Sequence, residues 1–208
     1  MNIDVYPIIF AATMIMKSIC VFCGSGSGND SRYMDAAYQL GQLLAEKNIK
    51  LIYGGAKLGL MGAVADGVLS EGGTAIGVIP HFLCTKEVAH GGLSELMLVD
   101  TMHERKLKMH ELSDGIITMP GGWGTMEEMF EMLTWGQLGM HQKPIGLYNI
   151  NGYYDGLRTF HQTMVNEGFL KRELIDMLMM NEDADGLLAQ MERYTPPVVP
   201  RWITEETT

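Results

Sequence analysis

Gly115–Met129 reads GIITMPGGWGTMEEM. Its first five residues, GIITM, form an apolar run with two isoleucines and a threonine, the pattern of a buried strand. Pro120 closes the run, and glycines follow at 121, 122 and 124. From Gly124 onward the apolar residues return at helical spacing, at Met126, Met129, Phe130 and Leu133. A strand that turns through glycine straight into a helix is the repeating unit of a parallel α/β sheet.

The same alternation extends in both directions. KSICVFCG (17–24), IKLIYGG (49–55), TAIGVIP (74–80), LMLVD (96–100), KPIGLYN (143–149) and DMLMMNE (176–182) read as further strands. Helical spacing predicts helices over 31–47, 60–72, 101–113, 124–139, 153–167 and 183–194. Residues 81–95 read as a longer loop carrying His81, Glu87 and HGG. About seven strands alternating with helices predict a Rossmann-like, doubly wound parallel sheet in a single domain, with helices on both faces. The domain is expected over 17–195, after an N-terminal extension at 1–16 and before a proline-rich tail at 196–208. The apolar stretch in the extension is too short to span a bilayer, and the acid Asp4 precedes it, which is wrong for a signal peptide.

Composition narrows the function. The chain has 208 residues, a formal net charge of −10 and no basic stripe, so neither a nucleic-acid polymer nor a membrane surface is an expected partner. Three cysteines make no disulfide framework and suit a reducing, cytoplasmic setting. Cys20 and Cys23 have CxxC spacing, but residues three apart on a strand face opposite sides, which argues against a metal site. No zinc-binding HExxH and no GxSxG nucleophile elbow is present.

Ligands of open α/β sheets bind at the carboxyl ends of the strands, and three glycine-rich stretches fall there. CGSGSGN (23–29) approaches the dinucleotide fingerprint, yet Asn29 replaces its third glycine and no acid ends the next strand. Gly24 and Ser25, with Gly54 and Gly55 of the second stretch, therefore read as part of some other nucleotide loop. Lys57 in GGAKLGLMG lacks the Walker context. PGGWGT (120–125) is the most informative. Glycine lets a ligand approach backbone amides, and the first N–H groups of the helix lack intrahelical partners and carry the positive end of its dipole. Such a terminus binds phosphate without a lysine.

Glu127 and Glu128 sit beside that terminus. Acids in a first turn ordinarily just complement the dipole, but next to a bound phosphate they require a cation or a developing positive charge. Arg105 offers one. It falls on the apolar stripe of Met102, Met109 and Leu112, where an unpaired guanidinium costs several kcal/mol. It needs an anionic partner, and bidentate recognition favours a ligand over a structural carboxylate. Lys106 is expected to reach the same pocket.

PGGWGTMEE, with MHERK upstream and VFCGSGSGN, YGGAKLGLMG and GVIP in order, resembles the Lonely Guy family over roughly residues 17–194. These are cytokinin-activating phosphoribohydrolases, many of which carry an older lysine decarboxylase label. The chain departs from the family pattern at Ala56 and Lys57 and in its methionine-rich positions. The resemblance implies hydrolysis of the N-glycosidic bond of a nucleoside 5′-monophosphate to free base and ribose 5-phosphate, with no cofactor or metal. It implies that Arg105 and Glu128 are catalytic. It also implies that Glu87, Lys106, Gly121, Gly122, Trp123, Gly124, Thr125, Met126, Glu127 and Thr134 line the substrate site, and that the protein is a homodimer with that site near the interface. Glu128 would stabilise positive charge on the sugar or activate water, while Arg105 would hold the sugar, the phosphate or Glu128. A nucleotide-binding module without turnover is the competing reading.

Overall fold

The computed structural model describes residues 14–84 and 88–198. Among these residues, seven strands form one sheet: β1 (Ser18–Phe22), β2 (Lys50–Tyr53), β3 (Ala75–Pro80), β4 (Glu95–Val99), β5 (Gly115–Thr118), β6 (Ile145–Tyr148) and β7 (Leu178–Asn181). All pair in parallel, in the order β4-β3-β2-β1-β5-β6-β7. The chain winds outward from β1 through β2 to β4. It then crosses back to place β5 on the other side of β1. The junction between β1 and β5 is the topological switch point, where such sheets open a crevice.

Among the described residues, six α-helices cover the sheet: α1 (Ser31–Glu46), α2 (Gly59–Ser70), α3 (Met102–Glu111), α4 (Trp123–Gln137), α5 (Asp155–Asn166) and α6 (Ala184–Glu192). Strand alternation sorts the core into two layers. Ile19, Val21, Leu51, Tyr53 and Ile117 pack with α1, α2 and α6 on one face. Cys20, Phe22, Ile52, Val78 and Ile116 pack with Met109 of α3 and Met132 of α4 on the other. Cys20 and Cys23 lie in these two different layers, as alternation expects.

Helix ends fall within one or two residues of the expected spans, and α4 starts one residue early, at Trp123. β4 departs from the expectation of two-sided burial. It is an edge strand with Glu95, Leu96 and Leu98 exposed, because its apolar sequence has a neighbour on one side only. The loop expected over 81–95 contains a short 3₁₀ turn at His81–Leu83 and an isolated antiparallel bridge between Ala56 and Ala89. At the amino end, Met16 is buried in the larger core layer and the Met14 N–H donates to Glu192 O at 2.9 Å.

Side chains cap three of these six helix starts and leave the other three uncapped. Asp30 caps α1, Asp183 caps α6, and Thr101 with Glu104 forms a capping box on α3. α2, α4 and α5, after the N-cap residues Leu58, Gly122 and Tyr154, have no side-chain cap on their first amides.

Candidate active site

The switch point brings the glycine turns together. The Gly24 N–H donates to Pro120 O at 3.0 Å, tying the end of β1 to the turn before α4. The Leu60 N–H donates to Gly24 O at 3.1 Å, adding the start of α2. Tyr153 Oη donates to Gly121 O and Tyr154 Oη to Met119 O, each at 2.7 Å, and these pin the turn from behind. Gly24 and Ser25 are the saddle between two cavities. One, of about 540 Å³, is lined by Arg105, Glu127, Glu128, Gly122, Trp123, Gly124 and Thr125. The other, of about 400 Å³, lies towards Tyr33, Tyr153, Pro120 and Gly121.

The glycines divide by purpose. A Cβ on Gly122 or on Gly124 would meet no protein atom within 4 Å, and neither has positive φ. Nothing in the protein itself requires glycine there, so the space in front of the uncapped α4 amides is open to a ligand. Gly121 is different, since a Cβ would fall on Thr125 Oγ1. Gly54 differs again. A Cβ there would collide with the Arg105 guanidinium, so its role is to seat Arg105 as well as to line the cavity. Gly55, at φ +76°, packs towards Gly77 and Ile79 of β3 and is no part of the cavity wall.

Arg105 and Glu128 are each only 8% exposed. Arg105 Nη1 stands 3.3 Å from Glu128 Oε1, and Arg105 Nε donates to Val78 O at 3.1 Å. The partner that the buried guanidinium required is thus a carboxylate of the site, where the sequence favoured a ligand. The structural partner of Arg105 and the carboxylate that the resemblance marks as catalytic are the same residue. Burial pushes the Glu128 carboxyl up to about 6; Arg105 opposes that shift and Glu127 adds to it. Cys23 also lines this cavity, and its thiol is held well above the ordinary range by burial and then by Glu128.

Lys106 does not reach the cavity wall. Its ammonium is buried between Glu127 Oε1, to which it donates, and Glu131 Oε2, an ion-pair contact at 3.0 Å without hydrogen-bond alignment. Burial pulls its pKa down, but the two carboxylates outweigh this and leave it above the ordinary lysine value. Glu131 has no signal of its own in the sequence; only its position one helical turn after Glu127 places it beside the same cation. Met126 is half-buried against Leu147 and Tyr154 rather than on the cavity wall. Thr134 lies farther along α4 and lines a separate apolar groove with Phe130, His161 and Phe169. The structure does not bring it to Arg105 and Glu128. Glu87 lies outside the described residues. The apolar side of the cavity comes from four separate segments: Leu58, Met61, Ile79 and Met102 fall inside YGGAKLGLMG, GVIP and MHERK, whereas Leu83 and Val88 lie in no quoted motif. Among the described residues, no group of three His, Cys, Asp or Glu could hold a metal. No helix among them is long and apolar enough to cross a membrane.

A doubly wound parallel sheet with a buried arginine–glutamate pair beside the cavity at its switch point defines a Rossmann-like α/β protein. The chain belongs to the Lonely Guy family. A family model described as "Possible lysine decarboxylase" matches residues 61–191. The chain is 48% identical over 177 residues to "Probable cytokinin riboside 5'-monophosphate phosphoribohydrolase LOGL1" of Oryza sativa subsp. japonica, covering 85% of this chain and 79% of that protein. It is 44% identical to cytokinin riboside 5'-monophosphate phosphoribohydrolase LOG2 of Arabidopsis thaliana, over 86% of this chain and 84% of that one. Among solved structures, the molybdenum cofactor binding protein of Rippkaea orientalis superposes with a TM-score of 0.64 at 22% identity, over 85% of this chain and 95% of that one. At that identity the likeness is one of fold.

Proposed function

We propose that this protein hydrolyses the N-glycosidic bond of a purine nucleoside 5′-monophosphate, either AMP or its cytokinin-type form with a prenylated base. The products are free base and ribose 5-phosphate. The observation that carries this reading is the buried Arg105–Glu128 pair at 3.3 Å, facing the same cavity as the uncapped amides of α4.

The parts act as follows. The 5′-phosphate is held by the amides at Trp123, Gly124 and Thr125, with the room left by Gly122 and Gly124. That grip orients the sugar over Glu128. As the bond from the anomeric carbon to the base nitrogen breaks, its electron pair leaves with the base and positive charge develops on the ribose. Ionised Glu128 meets that charge in the transition state more strongly than it meets the neutral sugar. Water then supplies hydroxide to the anomeric carbon, and its proton accompanies the base. Arg105 keeps Glu128 in place and favours its ionised form. Lys106 balances Glu127, so that two cations stand among the three carboxylates of the site.

A binding module without turnover would hold nucleotide through the same glycine turns but would gain nothing from a buried ion pair, which is weak evidence for stability alone. A lysine-based decarboxylase would need a lysine on the cavity, and neither Lys106 nor Lys143 lines it. The test is chromatographic detection of base released from AMP and from isopentenyladenine ribotide. Wild-type protein should release base, and Glu128→Gln should lose release by about 10²–10³-fold while still binding ribotide. Full activity in that variant would remove Glu128 from the mechanism. Because the ionised carboxylate is the working form, release should rise with pH through about 6 and then level off.

We also infer a single catalytic domain over 17–195, flanked by the extension and the tail, acting in the reducing cytoplasm where Cys20, Cys23 and Cys84 stay free. The protein is read as a homodimer. Phe160 and Phe169 are exposed beside the groove at Thr134, and a second copy would cover them. Light scattering on the purified protein should give twice 23.1 kDa; a monomer mass at micromolar concentration would refute the dimer.

A further inference from the structure

The wall of the cavity opposite α4 is held by one histidine, and this deepens the reading above, on which it rests. Val88 lines the cavity from the connection between β3 and β4, and Ala56 lines it from the turn after β2. These two segments are joined by a single antiparallel bridge, Ala56 to Ala89. It has two backbone hydrogen bonds, Lys57 N–H to Val88 O and His90 N–H to Gly55 O, both 2.9 Å. So short a pairing is marginal by itself.

The His90 side chain supplies the missing fixation. Its Nδ1 accepts the Gly92 N–H at 3.1 Å, so Nδ1 carries the lone pair and Nε2 carries the proton. Nε2 then donates to Asp66 Oδ1 of α2 at 3.0 Å. The ring itself is 11% exposed. The side chain thus ties the strap before β4 to helix α2, while the strap's backbone holds the turn after β2. Each of these contributes cavity wall, through Val88, through Met61, and through Gly54 and Ala56. None of the bonds is to Arg105, Glu128 or the α4 amides.

We infer that His90 is a positioning residue for the nucleotide site. It fixes the apolar wall that receives the substrate and leaves the reacting carboxylate untouched. Its removal should therefore weaken substrate binding and spare the chemical step.

The experiment compares His90→Phe, Asp66→Ala and Asp66→Asn with wild type, at a temperature well below each variant's melting point. His90→Phe keeps a ring but loses both side-chain hydrogen bonds. It should raise KM for the ribotide about tenfold, the effect of one to two lost hydrogen bonds, with kcat within about threefold of wild type. Asp66→Ala should raise KM in the same direction. Asp66→Asn retains an oxygen to accept from Nε2 and should return KM to the wild-type value. An unchanged KM in His90→Phe, a fall in kcat at constant KM, or equal losses in Asp66→Asn and Asp66→Ala would each overturn the inference. Absence of base release by wild-type protein would sink the hydrolase reading instead. Calorimetric Kd values for AMP across the same variants would still decide the role of His90.

Discussion

Arg105 and Glu128 form a buried pair that is costly to hold and that the proposed mechanism uses. Each loses hydration on burial, and neither is stabilising unless the other is present. For Glu128 desolvation wins over the attraction of Arg105, so its carboxyl titrates near 6 rather than near 4.5. A base or charge stabiliser at that value remains ionised at neutral pH yet is less solvated than an exposed acid. Arg105 is placed by an absence, the missing Cβ of Gly54. Gly54→Ala should therefore displace the guanidinium from Glu128. A shift of about 1 Å at a catalytic group can cost about 10²-fold, and kcat/KM for ribotide hydrolysis should fall by about that factor. Activity within twofold of wild type would show that Arg105 can be seated another way. The sequence marked Gly54 as part of a nucleotide loop; only the structure shows which atom the glycine makes room for.

At the scale of elements, α4 combines an uncapped start with open space in front of Gly122 and Gly124, where the proposed phosphate would sit. α1, α3 and α6 satisfy first-turn amides with their own aspartate or threonine side chains, whereas α2, α4 and α5 do not. Gly124 lies inside the helix, and a Cβ there meets nothing. Gly124→Ala should stabilise the fold by about 0.5–1 kcal/mol through helix propensity, while raising KM because the methyl occupies the ligand's approach. Urea unfolding and steady-state kinetics on one preparation check both signs. A variant that is more stable with unchanged KM would mean that the substrate does not approach Gly124. The junction was legible in the sequence because it is local: proline, glycines and a change from strand to helix period within 15 residues, GIITMPGGWGTMEEM. The placement of Lys106 and Thr134 was not, since both depend on which face of α3 or α4 meets a neighbour.

For the whole molecule, the switch point depends on how closely α1 and α2 pack behind the first glycine turn. A Cβ on Gly41 would strike Val64 O, and one on Gly67 would strike Tyr38 O, so the two helices touch backbone to backbone. Gly67→Ala should force them apart at a cost of about 1–3 kcal/mol, a net loss despite better helix propensity. Its urea midpoint should drop; a rise would mean that the helices slide without loss. The alternation of strands and helices, the parallel sheet and the glycine turns at its carboxyl edge were determined by the sequence alone, because periodicity and backbone sterics act over a few neighbouring residues. The strand order that makes β1 and β5 neighbours, the exposure of β4, the meeting of Arg105 with Glu128 and the His90 tie were decided only by the tertiary structure. Each joins residues distant in the chain, and such contacts are set by how the layers pack.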